Sequence, residues 1–161
     1  MKKIVFISSI VPQTVQTAEN EGGVPPPIFE GFRAAMEQDR AQLFLDVPTG
    51  PFFGFNRPGA KVSQGLIDSW FQQGMQTGIK AAYETTRSWE VDYRDDLRRL
   101  DIPALIIQGD DDQIVPIKVG AYAAAELIKG GTLKVYPGGA HGLPNTEVEG
   151  INNDLLQFLR P

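Results

Sequence analysis

The sequence Gly-Asp-Asp-Asp-Gln-Ile-Val-Pro at residues 109–116 is the most informative about the fold. It follows the apolar run Ala-Leu-Ile-Ile at residues 104–107 and precedes an alanine-rich helical pattern. A short apolar run that ends in glycine and carboxylates predicts a buried strand with acidic side chains at its carboxyl end. Open α/β sheets place their sites at this edge. The stretch therefore predicts an α/β fold with a site around residues 109–116.

A histidine is expected at the same edge. His141, the only histidine, follows the next strand pattern at residues 133–136. An acid and then a histidine after successive strands would supply two members of a Ser-His-Asp triad. The third member requires a Gly-x-Ser-x-Gly elbow upstream, and the 161 residues contain none. Ser8 and Ser9 end the first predicted strand but lack the glycine turn that exposes an elbow serine.

Strand and helix patterns extend on both sides of this stretch. Strands are predicted at residues 3–8, 104–108 and 133–136, and helices at about 28–47, 63–76, 79–89, 94–100, 118–128 and 148–159. In the last helix we expect four residues to face inward: Ile151, Leu155, Leu156 and Leu159. Alternating strands and helices in the second half predict a parallel sheet with crossover helices. The chain divides into a first strand (1–9), an inserted helical cap (10–92) and a C-terminal core part (93–161).

Composition narrows the classes of function. The net charge of −5 opposes binding to nucleic acid or to an anionic membrane surface, because both require a basic patch. No apolar run is long enough to cross a bilayer, and the apolar start at residues 4–7 is too short for a signal peptide. The absence of cysteine excludes disulfides and thiolate metal sites without deciding the compartment. We expect a cytoplasmic protein.

Six motifs resemble the non-haem haloperoxidase and aryl esterase branch of the α/β-hydrolases, in the family's order and across essentially the whole chain. They are Gly-Pro-Phe-Phe-Gly-Phe-Asn (50–56), Gly-Asp-Asp-Asp-Gln-Ile-Val-Pro (109–116), Ala-Glu-Leu-Ile-Lys-Gly (125–130), Leu-Lys-Val-Tyr (133–136), His-Gly-Leu (141–143) and Asn-Asp-Leu-Leu-Gln-Phe-Leu (153–159). The resemblance covers the family's C-terminal half. It implies a partial α/β-hydrolase fold and hydrolysis of small carboxylic esters. It further implies peracid formation from a carboxylic acid and hydrogen peroxide, with no metal, haem or other cofactor.

The resemblance also implies roles for individual residues. Asp112 matches the triad acid and His141 the general base. Ile114 and Val115 match positions that line the acyl pocket, and Phe29 and Phe53 are expected cap contacts. The serine and both oxyanion-hole amides belong to the family's other half.

The chemistry of acyl transfer explains these residue types. A serine hydroxyl needs a base within hydrogen-bond range, and histidine can take and return that proton near neutral pH. A buried carboxylate fixes the imidazole tautomer and stabilises the imidazolium. From the residues alone, Asp110 and Asp111 compete with Asp112 for this role, although Asp110 could cap a turn and Asp111 could be solvated. A magnesium or calcium site on the three carboxylates is a weaker alternative, because consecutive residues of an extended segment point in different directions.

Two functional classes follow. The first is the C-terminal half of a serine hydrolase, inactive alone and active when a complementary N-terminal half is supplied. The second is a non-catalytic, truncated or assembly module that pairs with such a chain or with itself. We expect such pairing because, without the family's neighbouring strand, residues 3–8 would form an unpaired apolar edge.

Overall fold

The computed structural model describes residues 2–160 and contains a parallel sheet of three strands. The strands are β1 (Ile4–Ile7), β2 (Ala104–Gly109) and β3 (Thr132–Tyr136), in the spatial order β1-β2-β3. Ile4 pairs with Ala104 at the start of the first ladder, and Leu105 pairs with Thr132 in the second. The predicted α/β class and the parallel sheet are confirmed, with strand ends that differ from the prediction by one residue.

Seven α-helices and two irregular helical turns are present among the described residues. The helices are α1 (Pro26–Thr49), α2 (Gln64–Gln76), α3 (Ile79–Thr85), α4 (Arg94–Arg98), α5 (Ala123–Leu127), α6 (Leu143–Thr146) and α7 (Val148–Leu159). A 3-10 helix covers Thr86–Glu90, and a π-type turn covers Lys118–Tyr122. The first three α-helices and the 3-10 helix lie between β1 and β2 in the chain, in the segment predicted to form the cap. No helix within residues 2–160 has the length and apolar character needed to span a bilayer.

The core has two layers, one on each face of β2. Successive strand residues point to opposite faces, so Ala104 and Ile106 face one layer while Leu105 and Ile107 face the other. The first layer is completed by buried residues of α4, the π-type turn, α5 and the residue after it: Leu97, Ala121, Ala124 and Ile128. The second layer contains Leu143 of α6 and Ile151 of α7. Every residue of β2 is buried, as the continuous apolar run predicted.

Helix α1 is interrupted, although the apolar periodicity predicted one continuous helix. Asp39 has non-helical torsion angles (φ −153°, ψ 88°), and its carboxylate accepts a hydrogen bond of 2.9 Å from the Gln42 amide. An aspartate that accepts from the amide three residues on is an N-cap. Asp39 therefore starts the second half of α1. Helix α2 is capped by Ser63, whose hydroxyl accepts a hydrogen bond from the Leu66 amide.

The helix predicted over residues 118–128 is regular only in its second half. Gly120 has torsion angles of φ −93° and ψ −107°, outside the helical range, and α5 begins at Ala123. A methyl group at Gly120 would lie 2.6 Å from the side-chain oxygen of Gln108. The backbone therefore departs from helical geometry where it approaches the end of β2.

The prediction for the face of α7 was wrong at two positions. Ile151 is buried and Leu155 packs against the second core layer, but Leu156 and Leu159 are each 55% exposed. Phe158 occupies the inward position instead, seven residues after Ile151. Positions four and seven residues apart lie on one helical stripe, whereas Leu156 and Leu159 belong to an adjacent stripe. The apolar residues of α7 therefore extend beyond the face that packs on the second core layer.

Strand β1 pairs with β2 alone among residues 2–160. Its four residues, Ile-Val-Phe-Ile, are only half-buried, whereas all six of β2 are buried. One edge of this apolar strand thus carries backbone groups without a strand partner in the described part of the chain.

Candidate active site

Asp112 and His141 are in direct contact at the carboxyl edge of the sheet. The imidazole Nδ1 lies 2.9 Å from Oδ2 and 3.2 Å from Oδ1 of Asp112. The Asp112 side chain is fully buried, and that of His141 is 16% exposed. A carboxylate that accepts from Nδ1–H holds the imidazole in the tautomer whose Nε2 is a base. The parallel strands bring the acid loop after β2 and the histidine loop after β3 together.

The carboxylate of Asp112 also accepts three other hydrogen bonds. Oδ1 accepts from the backbone amides of Ile114 and Val115, both at 2.9 Å. Oδ2 accepts from the side-chain amide of Gln108 at 3.0 Å. These donors satisfy a buried charge, which would otherwise be costly to remove from water. They also fix the plane of the carboxylate, and with it the oxygen that meets His141.

The three consecutive aspartates have three different partners. Asp110 accepts a hydrogen bond of 2.6 Å from the Gly138 amide and so ties the acid loop to the turn after β3. Asp111 forms a two-point ion pair with the Arg57 guanidinium. Asp112 alone of the three contacts the imidazole of His141. The position of Asp110 agrees with the turn-capping alternative, while Asp111 is ion-paired rather than simply solvated.

The approach of the two loops requires glycine at the end of β2. A methyl group at Gly109 would lie 2.0 Å from the Gly139 carbonyl oxygen, which accepts from the Asp111 amide at 3.2 Å. No side chain fits in that gap. Gly109 therefore allows the acid loop to pack directly on the histidine loop.

An aromatic loop, residues 50–57, packs on both site loops. Phe52 stacks edge-on against the His141 ring, with centroids 5.0 Å apart, and its carbonyl accepts from the Gly142 amide at 2.8 Å. Asn56 and Gln113 exchange two side-chain hydrogen bonds of 2.9 and 3.0 Å, beside the ion pair from Arg57. The segment predicted as the cap thus contacts the residues next to the acid and next to the histidine.

The four predicted substrate contacts occupy different environments. Phe29 in α1 is 5% exposed and Phe53 in the aromatic loop is 6% exposed. Val115 is 1% exposed and half-buried Ile114 precedes it, and both use their amides to bind Asp112. Phe53 contacts Phe52, which links it to the His141 ring. The roles of Phe29, Phe53, Ile114 and Val115 in binding substrate stay predictions.

An open cleft of about 500 Å³ lies beside the aromatic loop rather than over the acid and histidine. Its walls include Phe53, Arg57, Asp111, Asn145 and Glu147, but neither Asp112 nor His141. The cleft is therefore separate from the Asp112–His141 contact.

No serine hydroxyl within residues 2–160 forms a hydrogen bond with His141. Ser8, at the end of β1, has a positive φ of 44° and a buried hydroxyl without a hydrogen-bond partner in the described structure. Residues 2–160 contain no group of three or more histidine, aspartate or glutamate side chains that could hold a metal ion.

Sequence reasoning missed two residues of the site, Gln108 and Phe52. A signal for Gln108 was present, because it is a polar residue that ends an apolar strand directly before Gly109. Phe52 enters the sequence analysis only as part of the motif at residues 50–56. Nothing in its local sequence indicated a contact with a histidine so far along the chain.

Comparison with known proteins supports the interpretation of the fold. A family model described as the alpha/beta hydrolase fold matches residues 1–145. A non-heme haloperoxidase from Rhodococcus erythropolis is 48% identical over 98% of the chain. A bifunctional esterase/perhydrolase from Acinetobacter calcoaceticus is 44% identical over 98%. The crystal structure of a bromoperoxidase from Bacillus anthracis superposes with a TM-score of 0.91 at 26% identity, over 99% of the chain.

The chain spans 58% of the length of each of these three proteins.

Proposed function

Because the chain belongs to the α/β hydrolase fold family, we propose that Asp112 and His141 are the acid and general base of a serine hydrolase acting on small carboxylic esters. The contact of 2.9 Å between Nδ1 of His141 and Oδ2 of Asp112 carries this proposal. It leaves Nε2, for which the described residues supply no hydrogen-bond partner, as the base. The relatives named as haloperoxidase and esterase/perhydrolase support the same reaction class.

In this mechanism Nε2 of His141 takes the proton of a serine hydroxyl as the oxygen attacks the ester carbonyl. Asp112 stabilises the resulting imidazolium without accepting the proton. The imidazolium then gives the proton to the departing alkoxide, and an acyl-serine remains. Water attacks that ester in the second half of the reaction, again with His141 as the base, and releases the carboxylic acid and free serine.

The serine and the oxyanion-hole amides of this mechanism come from polypeptide outside the 161 residues. Two features support this part of the proposal. The unpaired edge of β1 matches the requirement of a further parallel strand. The exposed Leu156 and Leu159 of α7 offer apolar surface that further polypeptide would bury.

Hydrogen peroxide can replace water in the second step. Attack of peroxide on the acyl-serine gives a peracid and free serine, and the peracid then oxidises a halide. The printed names of the haloperoxidase and esterase/perhydrolase relatives favour this side reaction. It requires no metal and no redox cofactor, because peroxide itself is the oxidant.

A second candidate function is a non-catalytic assembly module that binds a complementary chain or a second copy of itself. The apolar β1 edge and the exposed leucines of α7 favour it, because both could bind another polypeptide whether or not the assembly is catalytic.

Hydrolysis of p-nitrophenyl acetate tests the main proposal. We expect the chain alone to match the background rate of its His141→Ala variant. After assembly with the segment of the Rhodococcus haloperoxidase that the chain does not match, we expect turnover that Asp112→Asn lowers by about 10⁴-fold. Asp111→Asn, the matched control, removes only the ion pair with Arg57 and should leave most of the activity.

Two results would contradict the proposal. Activity of the chain alone that depends on His141 would mean that the nucleophile lies within these 161 residues. A stable assembly whose turnover is the same with and without His141 would favour the assembly module. Adding peroxide and bromide to an active assembly separates the perhydrolase from a simple esterase.

A further inference from the structure

Gln108 is a polar residue in a position where the strand pattern requires an apolar one. It follows Ala104 and Ile106 on the same face of β2, the face that packs on α4 and α5. It is 1% exposed. A buried amide destabilises the fold unless its donors and acceptor are satisfied. Its partners therefore indicate why it is there.

Both ends of the Gln108 amide are bound. The nitrogen donates to Oδ2 of Asp112 at 3.0 Å and to the Val115 carbonyl at 2.7 Å. The oxygen accepts from the Ala121 amide at 2.8 Å. A flipped amide would place its oxygen against a carboxylate and a carbonyl and its nitrogen against an N–H donor. The hydrogen-bond pattern therefore allows a single orientation of the amide.

Gly120 provides the space for this arrangement. A methyl group there would lie 2.6 Å from the Gln108 oxygen and 3.0 Å from a Val115 methyl carbon. The non-helical backbone at Gly120 precedes the Ala121 amide, which donates to the Gln108 oxygen instead of continuing a regular helix. The irregular turn and the buried glutamine thus form one unit.

Gln108 acts on Asp112 in two ways. It donates directly to Oδ2, the oxygen nearer to His141. It also holds the carbonyl of Val115, whose amide donates to Oδ1. Loss of the Gln108 side chain would therefore release the carboxylate from one side and loosen the loop that holds it from the other.

We propose that Gln108 is the positioning residue of the Asp112–His141 pair, and that its amide, seated against Gly120, sets the carboxylate orientation that selects the Nδ1–H tautomer of His141. The catalytic consequence rests on the proposed function. The structural claim about the tautomer stands independently of it.

The single histidine makes the test direct. Two-bond nitrogen–proton correlation NMR of the full chain reports the tautomer of His141 without overlap from any other imidazole. We expect the Nδ1–H form in the unsubstituted chain at a pH where the ring is neutral. Gln108→Met keeps a side chain of similar length but removes the amide, and it should move the signals toward a mixture with Nε2–H. The matched control is Gln113→Met in the acid loop. It removes the amide that hydrogen-bonds to Asn56 of the aromatic loop and should leave the tautomer unchanged.

Gly120→Ala provides a second variant if Gln108→Met fails to fold. The added methyl group displaces the Gln108 amide without removing it, so the same shift toward a mixed tautomer is expected. A folded Gln108→Met or Gly120→Ala chain with an unchanged Nδ1–H signal would overturn the proposal.

In the assembled enzyme, Gln108→Met should lower kcat by about 10- to 100-fold at nearly constant KM, as supporting residues of catalytic groups do. If Gln108→Met shifts the tautomer but the assembly with the unsubstituted chain has no turnover, the proposed function is refuted and the positioning role stays intact. If the tautomer is unchanged in Gln108→Met while the assembly with the unsubstituted chain is active, the positioning role alone is refuted.

Discussion

The imidazole of His141 lies against the ring of Phe52, with 5.0 Å between centroids and an angle of 71° between the planes. Phe52 also meets Trp70 of α2 at 5.4 Å, so one aromatic side chain joins the helical segment to the histidine. The histidine is therefore fixed from two sides, by the carboxylate of Asp112 and by the aromatic loop.

Phe52→Ala should change both stability and the surroundings of His141. The ring is half-buried and in contact with three aromatic side chains, so we expect a loss of about 2 kcal/mol in the free energy of unfolding, measured with urea. The imidazole proton signals should move because the ring current of Phe52 is lost. Phe55→Ala is the control, since Phe55 stacks on Phe53 and not on the histidine. Imidazole signals that respond equally to both variants would contradict the role given to Phe52.

The ion pair between Arg57 and Asp111 should contribute little to stability. Both side chains are substantially exposed, and exposed pairs typically contribute about 0–1 kcal/mol. A double-mutant cycle with Arg57→Gln and Asp111→Asn is expected to give a coupling energy in this range that decreases at high salt. A coupling well above about 1 kcal/mol, or one insensitive to salt, would contradict this expectation.

The exposed leucines of α7 should matter for association rather than for folding. The double substitution Leu156→Gln with Leu159→Gln is expected to change the free energy of unfolding by less than about 0.5 kcal/mol per site. Sedimentation velocity should show weaker binding to the complementary segment and weaker self-association. Ile28→Gln with Ile79→Gln, equally exposed positions in the helical segment, is the control. An equal effect of the two double variants would mean that α7 is not part of an interface.

Tyr136 gives a pH-dependent contribution to stability. Burial and then the hydrogen bond to Asp154 raise its pKa from 10 to about 12. Because the folded pKa is the higher one, this contribution is fully present below pH 10 and is lost as the pH rises toward 12. Urea unfolding at pH 9 and pH 11.5 should therefore show a larger loss of stability for the unsubstituted chain than for Tyr136→Phe. Parallel losses in the two proteins would contradict the assignment.

Much of the fold could be predicted because its determinants are local. The buried run at residues 104–107 ends in a glycine and carboxylates, which placed β2 and the acid loop within one residue of their observed positions. The interruption of α1 at Asp39 and the irregular turn at Gly120 were not predicted. Each depends on a single residue that overrides a clear helical period, through a cap in one case and a close approach in the other.

From the residues alone the site was predictable as a pair of loops, and the choice of Asp112 among the three aspartates rested on the family resemblance. Asp110, Asp111 and Asp112 are chemically identical, and only the paths of two chain segments decide that Asp112 meets His141 while Asp111 meets Arg57. The inward assignment of Leu156 and Leu159 failed for a related reason. Periodicity shows which apolar residues share a stripe of the helix. How much of that stripe is buried depends on the tertiary structure packed against it.

Fluorophosphonate labelling of the chain assembled with the complementary haloperoxidase segment tests directly whether His141 activates a serine. The reagent reacts with a serine only when a base activates the hydroxyl. We expect a covalent adduct on the elbow serine of the added segment, and labelling that falls at least about 100-fold when the chain carries His141→Gln. Labelling of a serine within residues 1–161, or labelling that does not change with His141→Gln, would contradict this expectation.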